Sequence, residues 1–463
     1  MPQGERKRLF GTDGIRGLAG EFPLDEKTVE IVGRALAENL ARELAHVPRI
    51  VIGRDTRQSG PAIENALARG AASAGATVES AGVITTPGVA FVTKRDSFDA
   101  GGVISASHNP YDDNGIKVFT PSGRKLSDEI ERRIEADIYS MLESQSGESS
   151  EPGSGHLSGS IFSEEAERKY REQYIDYLVD EIGQGLRLDS MHIGLDCANG
   201  AASAIAPKVF ERLGARLEVI YASPNGSNIN EGCGSLHTDK LRSLVIERGL
   251  DAGIAFDGDA DRALMLDGNG SLVDGDREML ILAGLLKTRG LLSGNVVVAT
   301  VMSNLGLEIA LGERKIEMVR APVGDRFVLE ELLARKAKLG GEQSGHIILP
   351  DIGLAGDGIV TAIEVLRAVK ESGRLLGDLA SEMKTFPQVL INVKVKSKPP
   401  IESLPDVQLD IKRLEHEMQG RGRLLVRYSG TENLARVMIE GEDQKTIENQ
   451  AHRLAAVISR SIG

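Results

Sequence analysis

Residues 257–262 read Asp-Gly-Asp-Ala-Asp-Arg and follow the apolar stretch Ala252–Phe256. In a straight strand the carboxylates of Asp257, Asp259 and Asp261 point the same way but sit about 6–7 Å apart. One small divalent ion, with oxygen distances of about 2 Å, cannot bridge that gap, so the segment must curl. Gly258 and Ala260 permit the curl. Once curled, each like-charged pair at ~4 Å costs about 4 kcal/mol at an effective dielectric of about 20, and a bound cation removes the conflict. An EF-hand is excluded, because its glycine and glutamate positions hold Arg262 and Gly268. The alternative is a solvated acidic loop.

Three further loops carry usable groups. Residues 102–110 run from a Gly-Gly pair through Val103 and Ile104 to Ser-Ala-Ser-His-Asn-Pro. That is a short buried strand ending in a turn that lifts the Ser107 hydroxyl, with His108 beside it, out of the sheet. In an α/β sheet such a loop lies where ligands bind; an ordinary strand-to-loop junction is the other reading. Residues 340–346, Gly-Gly-Glu-Gln-Ser-Gly-His, offer Glu342, Ser344 and His346. A carboxylate and a hydroxyl two residues apart suit the vicinal hydroxyls of a sugar, or form a polar surface loop. Arg427-Tyr-Ser429-Gly430-Thr431, with Arg436 beyond, combines guanidinium, hydroxyls and glycine-freed amides, the groups that hold a phosphate dianion. No GxxxxGK[ST] run occurs, so this is not a nucleotide P-loop. A hydroxyl, a three-carboxylate loop, a sugar-type loop and a phosphate cradle together point to metal-assisted phosphoryl transfer on a sugar phosphate.

The elements that must place these loops alternate between strand and helix. A Gly-rich stretch at 9–17 has no periodicity; it is a plain turn or a loop that brings Arg16 to an anion. Strands are expected at 49–52 and 77–81, and helices at 60–74 and after Thr85-Thr86-Pro87, which marks a largely parallel βαβ sheet. Asp112-Asp-Asn-Gly115 reads as a turn before a strand at 116–119 that carries Lys117 off the face of Ile116 and Val118. An acidic helix covers 127–142, and the Ser/Gly-rich run 144–161 is a linker. From Ser163 a helix spaces Tyr170, Tyr174, Tyr177 and Leu178 as core residues, and strands follow near 191–196, 216–220 and 252–256. Helices at 277–288, 304–313, 325–337, 357–371 and 375–384 and a strand at 295–299 make a third block. A strictly alternating strand at 389–397 opens a small α+β domain. The domain limits expected are 1–150, 151–262, 263–384 and 385–463.

With 463 residues, 41% of them hydrophobic, the chain is too long for one core and fits an α/β enzyme. A net charge of −13 argues against nucleic-acid binding, so any anion site must be a local cluster of cations. Two cysteines give no disulfide framework, and the basic start leads into Leu-Phe-Gly rather than an apolar run; both suggest a reducing cytoplasm. No stretch of 18 apolar residues is present to span a membrane.

In this order, GTDGIRG, ISASHNP with DDNGIKVF, DGDADR, GGEQSGH and RYSGT resemble the α-D-phosphohexomutases over essentially the whole chain. Gln343 stands where hexose-specific relatives usually have Met. With Val323-Gly324-Asp-Arg326 it resembles the branch that interconverts glucosamine 6-phosphate and glucosamine 1-phosphate on the way to UDP-N-acetylglucosamine and cell-wall precursors. A mutase for glucose or mannose phosphates stays open, as does a non-catalytic sugar-phosphate sensor, though a sensor needs no phosphodonor. The resemblance implies three similar mixed-sheet α/β domains and a small C-terminal α+β domain around a central cleft. It implies a phosphoserine at Ser107 and one Mg2+ held by Ser107, Asp257, Asp259 and Asp261. Arg16, His108 and Arg262 would attend the moving phosphoryl group, and Lys117 and His346 would handle protons. Glu342, Ser344 and Gly324 would read the sugar, and Arg427, Ser429, Gly430, Thr431 and Arg436 the idle phosphate. The substrate would be a sugar phosphate that turns over as a bisphosphate, and a monomer or homodimer is expected. Asn433 departs from the family, which commonly has Pro there.

Overall fold

The structure, a computed structural model, describes residues 8–11, 13–145, 163–418, 421–429 and 433–463. Its contacts divide into two units, one of residues 1–302 with 319–380, the other of 303–318 with 381–463. Most of the Ser/Gly-rich run, and Gly430 and Thr431, lie outside the described residues. Among the described residues no helix is long and apolar enough to cross a membrane.

The first unit contains a six-stranded sheet ordered Phe10–Gly11, Gly14–Leu18, Asp113–Phe119, Ala100–Ile104, Arg49–Arg54, Thr77–Val83. It is mixed rather than largely parallel, because only Arg49–Arg54 pairs in parallel with its two neighbours. The expected N-terminal turn is the cause: 10–18 forms a hairpin whose second strand pairs with Asp113–Phe119, Ile15 opposite Ile116 and Arg16 opposite Gly115. Ladder hydrogen bonds override the weak strand propensity of a Gly-rich run. Gly14 is required there, with φ +79° and a would-be Cβ 2.3 Å from the Ile116 carbonyl.

The same pairing corrects the Asp112–Gly115 turn. Asp113, Asn114 and Gly115 already belong to the strand, and the chain reverses before them, with Asp113 N–H on the Pro110 carbonyl. Gly115 serves close packing rather than turning, since a Cβ would lie 2.7 Å from the Ser105 carbonyl.

A second sheet runs Leu272–Val273, Ala263–Asp267, Ala252–Phe256, His192–Asp196, Arg216–Ile220. Residues 263–273 thus continue this sheet past the division expected at 262, because Ala263–Asp267 pairs antiparallel with Ala252–Phe256. A third sheet contains the two-residue strands Gly340–Gly341 and Ile347–Ile348, which pair antiparallel and pinch 342–346 into a loop. The helix expected at 375–384 is shorter, Leu376–Ala380. Tyr170 and Tyr174 are buried as their spacing required.

The second unit is a three-stranded antiparallel sheet ordered Gln388–Lys394, Leu434–Gly441, Gly422–Tyr428. The helices Pro405–Met418 and Gln444–Ile462 bring Val407, Leu414, Ile447 and Leu454 onto Val393, Val437 and Ile439 of that sheet.

Candidate active site

Ser107 is held in place by its backbone. It sits at φ +52°, and its carbonyl accepts from Arg57 Nη2 at 3.0 Å and from Asn230 Nδ2 at 2.9 Å. Arg57 also donates to the carbonyls of Asn109 and Asp113 at 2.9 and 3.0 Å and to that of Pro110. Its charge is matched by Asp55, 2.9 Å away, and both side chains are fully buried. Asp55 in turn accepts from Ser105 Oγ at 2.6 Å, and Ser105 Oγ accepts from the Ser107 N–H at 2.9 Å. A turn overdetermined in this way can sustain a left-handed residue at a functional position. The Ser107 hydroxyl then donates to Asp257 Oδ2 at 2.6 Å.

The aspartate loop curls as its spacing demanded, with Ala260 at φ +55° and its N–H on the Asp257 carbonyl at 3.1 Å. One carboxylate oxygen from each of Asp257, Asp259 and Asp261 lies within 4.8 Å of the others, and all three residues are buried. Asp259 Oδ2 accepts from Thr86 Oγ1 at 2.6 Å and Lys117 Nζ at 3.0 Å, whereas Asp259 Oδ1 is buried without a hydrogen-bond partner. Burial, with Asp261 and Asp259 beside it, pushes the Asp257 carboxyl well above the usual range. Burial acts the same way on Asp261 but is overcome by Lys117, His346 and Arg262, which hold it well below. An all-oxygen set with a partnerless buried carboxylate oxygen and a hydroxyl against it fits a hard divalent cation.

Around this loop a cavity of about 480 Å3 is lined by Arg16, His108, Asp261, Arg262, Gly324, Glu342 and His346, among others. Six of the seven were expected for catalysis or sugar binding, and Asp261 for the metal. Arg16 Nη1 donates to the Ala106 carbonyl at 3.1 Å. His108 Nδ1 lies 3.4 Å from Ser107 Oγ and 3.3 Å from Arg262 Nη1; burial, then Arg262 and Arg16, hold the imidazole below its ordinary pKa. His346 lies 3.6 Å from Asp261 Oδ1 and 3.8 Å from Asp325 Oδ2. Although it is buried, those carboxylates and Glu342 raise its pKa. Glu342 accepts from the Gly324 N–H at 3.0 Å and from Ser344 Oγ at 3.3 Å. Lys117 is buried among Asp13 at 3.4 Å, Asp259 at 3.0 Å and Asp261 at 3.5 Å. Burial opposes its charge, but the three carboxylates prevail and raise its pKa.

Sequence reasoning passed over Asp13 and Lys125. Asp13 meets Arg16, Lys117 and Lys125, and Lys125 also bridges to Asp325 at 2.6 Å, the carboxylate facing His346. One ammonium thus ties the neighbour of Lys117 to the neighbour of His346. Lys125→Met leaves two partly buried carboxylates without their shared cation; kcat is expected to fall about 10–100-fold with KM changed far less. Steady-state kinetics test this, with Lys125→Arg recovering most of the loss.

In the second unit, Arg427 and Arg436 face each other as register partners on neighbouring strands. Burial and then Arg436 lower the pKa of Arg427. Like charges directly opposite are unfavourable, so an anion between them is stabilising. Ser429 is buried beside them, and Lys398, unnoticed in the sequence, donates to its carbonyl at 2.8 Å.

Four domain profiles of the phosphoglucomutase/phosphomannomutase type match the chain: alpha/beta/alpha domains I, II and III over 7–144, 172–270 and 274–386, and the C-terminal domain over 390–457. A phosphoglucosamine mutase of Koribacter versatilis is 49% identical over 99% of this chain and 98% of its own. Another, of Solibacter usitatus, is 46% identical over 99% of both. Among solved structures, a phosphoglucomutase/phosphomannomutase family protein from Burkholderia thailandensis superposes with a TM-score of 0.77 at 22% identity, over 98% of both chains. The Aspergillus fumigatus N-acetylphosphoglucosamine mutase, solved with GlcNAc-6P and magnesium, gives 0.68 at 19% identity over 98% of this chain and 96% of that one.

Proposed function

Because the chain belongs to the phosphoglucomutase/phosphomannomutase family, with profiles for all four domains matched, we propose that it interconverts glucosamine 6-phosphate and glucosamine 1-phosphate with a phosphoryl group carried on Ser107. The observation that carries this reading is the Ser107 hydroxyl, 2.6 Å from Asp257 in a buried three-carboxylate loop that opens on a sugar-sized cavity. His108 Nδ1 lies 3.4 Å from the serine oxygen, but the shorter contact, 2.6 Å, is to Asp257, a carboxylate of the proposed metal set, and that supports a phosphoryl carrier over a hydrolase nucleophile.

Asp257, Asp259 and Asp261 would hold Mg2+ with the serine oxygen, and the ion neutralises charge where three carboxylates meet a phosphate. In the first transfer the Ser107 Oγ–P bond breaks and a bond from phosphorus to a sugar oxygen forms. Net, the proton lost by the sugar hydroxyl is gained by Ser107 Oγ, which ends as the hydroxyl seen against Asp257. Lys117 and His346, whose charged forms the surrounding carboxylates favour, would act as proton donors and charge stabilisers at the oxygens that exchange the group. Arg16, Arg262 and His108 orient the moving group. Glu342 and Ser344 hold sugar hydroxyls, with Gly324 fixing the Glu342 carboxylate. Arg427, Ser429, Gly430, Thr431 and Arg436 take the phosphate that is not reacting. The bisphosphate then reverses, and its other phosphoryl group returns to Ser107. The chain acts in a reducing cytoplasm, as a monomer or homodimer.

Gln343, whose Nε2 lies 3.4 Å from Asp274 Oδ2, belongs to the loop that reads the sugar. Rates on glucosamine, glucose and mannose 6-phosphates with Mg2+ test the substrate. At least about tenfold preference in kcat/KM for the amino sugar is expected, and a preference for glucose or mannose 6-phosphate would overturn the assignment.

A further inference from the structure

Helix Thr86–Arg95 grips the aspartate loop through its first residue. The helix follows the strand Thr77–Val83, and its start is set by the Thr85 hydroxyl, which accepts from the Gly88 N–H at 3.1 Å, and by Pro87 in the first turn. Thr86 therefore stands at the first helical position, where the N–H has no partner inside the helix. That N–H donates instead to the Asp259 carbonyl at 3.0 Å, and Thr86 Oγ1 donates to Asp259 Oδ2 at 2.6 Å.

The side-chain contact decides which oxygen of Asp259 a cation can meet. A carboxylate oxygen has two lone-pair sites. Those of Oδ2 are taken by Thr86 Oγ1 and by Lys117 Nζ at 3.0 Å, whereas Oδ1 is buried without a hydrogen-bond partner. Oδ1 is thus the oxygen left open. Ser107, Lys117, Arg262 and His346, which also touch the three carboxylates, all have places in the proposed reaction. Thr86 has none so far.

The hydroxyl has no ready substitute. Thr86 is 2% exposed and Asp259 1%, and a side chain of equal volume without the hydroxyl would leave no room for a bridging water. Lys117 would then be the only donor on Oδ2. A carboxylate held by the ammonium alone is free to turn toward it, so that Lys117 competes with a cation for both oxygens and Oδ1 loses its fixed place.

We infer that Thr86 is a positioning residue for the metal: its hydroxyl holds Asp259 Oδ2 and so presents Oδ1 to a divalent cation shared with Asp257 and Asp261. The inference rests on the metal-site reading. Donors that orient a metal-binding carboxylate are worth about 10–100-fold in metal affinity.

The test is a calorimetric titration of Mg2+ into the full chain, as wild type and as Thr86→Val, which keeps the N–H contact and the volume but has no hydroxyl. Thr86→Val is expected to weaken Mg2+ by about tenfold or more, and Thr86→Ser, which restores the donor, to stay within about threefold of wild type. Saturating Mg2+ should bring kcat of Thr86→Val back to within about threefold of wild type, because the chemistry does not use this hydroxyl. If Thr86→Val does not fold, Thr86→Cys, with its weak S–H donor, takes its place and should weaken Mg2+ by about threefold or more. Equal affinity in wild type and the variant lacking the hydroxyl overturns the inference. So does a Thr86→Ser affinity as weak as that of Thr86→Val, or a kcat deficit that saturating Mg2+ leaves in place. A wild type that binds no Mg2+ overturns the metal-site reading itself, and the role of Thr86 with it.

Discussion

Ser107→Ala is expected to lower kcat by at least about 10,000-fold while the protein stays folded. The variant removes the atom proposed to carry the phosphoryl group. Every other group in the cavity would remain in place, because the turn is held by carbonyl contacts from Arg57 and Asn230 that do not involve the hydroxyl. The structural cost is the hydrogen bond from Ser107 Oγ to Asp257, about 1–3 kcal/mol because it leaves a buried carboxylate oxygen without that donor. Kinetics paired with thermal unfolding separate the two effects. Activity within tenfold of wild type would remove Ser107 from the chemistry, whereas a collapse in stability would show that the turn depends on the hydroxyl.

Asp259→Asn is expected to raise the Mg2+ concentration for half-maximal activity by about 100-fold or more, since it takes one charge from the ligand set. Two effects oppose each other in the metal-free protein. The neutral amide still accepts from Thr86 and relieves repulsion with Asp257 and Asp261, but it takes one of three carboxylates from the buried Lys117 ammonium, 3.0 Å away. Loss of a buried ion-pair partner outweighs the relief, so the unfolding temperature in chelator should fall slightly below that of wild type. Mg2+ should then raise the unfolding temperature of the wild type and barely move that of the variant. Calorimetric or dye-monitored melts with and without Mg2+ check both signs. An unchanged Mg2+ requirement would show that Asp259 is not a ligand.

Loops that carry chemistry are readable where a short apolar run delivers them. Ile104 leads to Ser107, and Phe256 to Asp257. Residue type and spacing there state the chemistry directly, and so the serine, the aspartates and the Glu342–His346 loop stand out in the sequence itself.

The groups that hold those loops in shape are not readable. Arg57 acts on carbonyls 50 to 56 residues away, Asn230 on one 123 residues away, and Lys125 on Asp13 and Asp325 at separations of 112 and 200. A backbone carbonyl leaves no mark of its own in the sequence, and an arginine in Gly53-Arg-Asp-Thr-Arg57 looks like any loop cation. The fold departs from expectation where pairing outweighs local preference. Gly14–Leu18 and Asp113–Gly115 have turn composition, yet each supplies the other with ladder partners. Gly340–Gly341 and Ile347–Ile348 are too short to show a period of two.

Whether Ser107 carries the phosphoryl group that reaches the sugar is decided by intact mass spectrometry of the purified chain. One phosphoryl group per chain is expected, localised to Ser107 by peptide mapping and absent from Ser107→Ala. It should be discharged onto sugar when the enzyme is mixed with excess glucosamine 6-phosphate and Mg2+, with glucosamine 1,6-bisphosphate appearing in equal amount. A phosphoryl group on another residue, or one on Ser107 that persists unchanged through turnover, would contradict the mechanism.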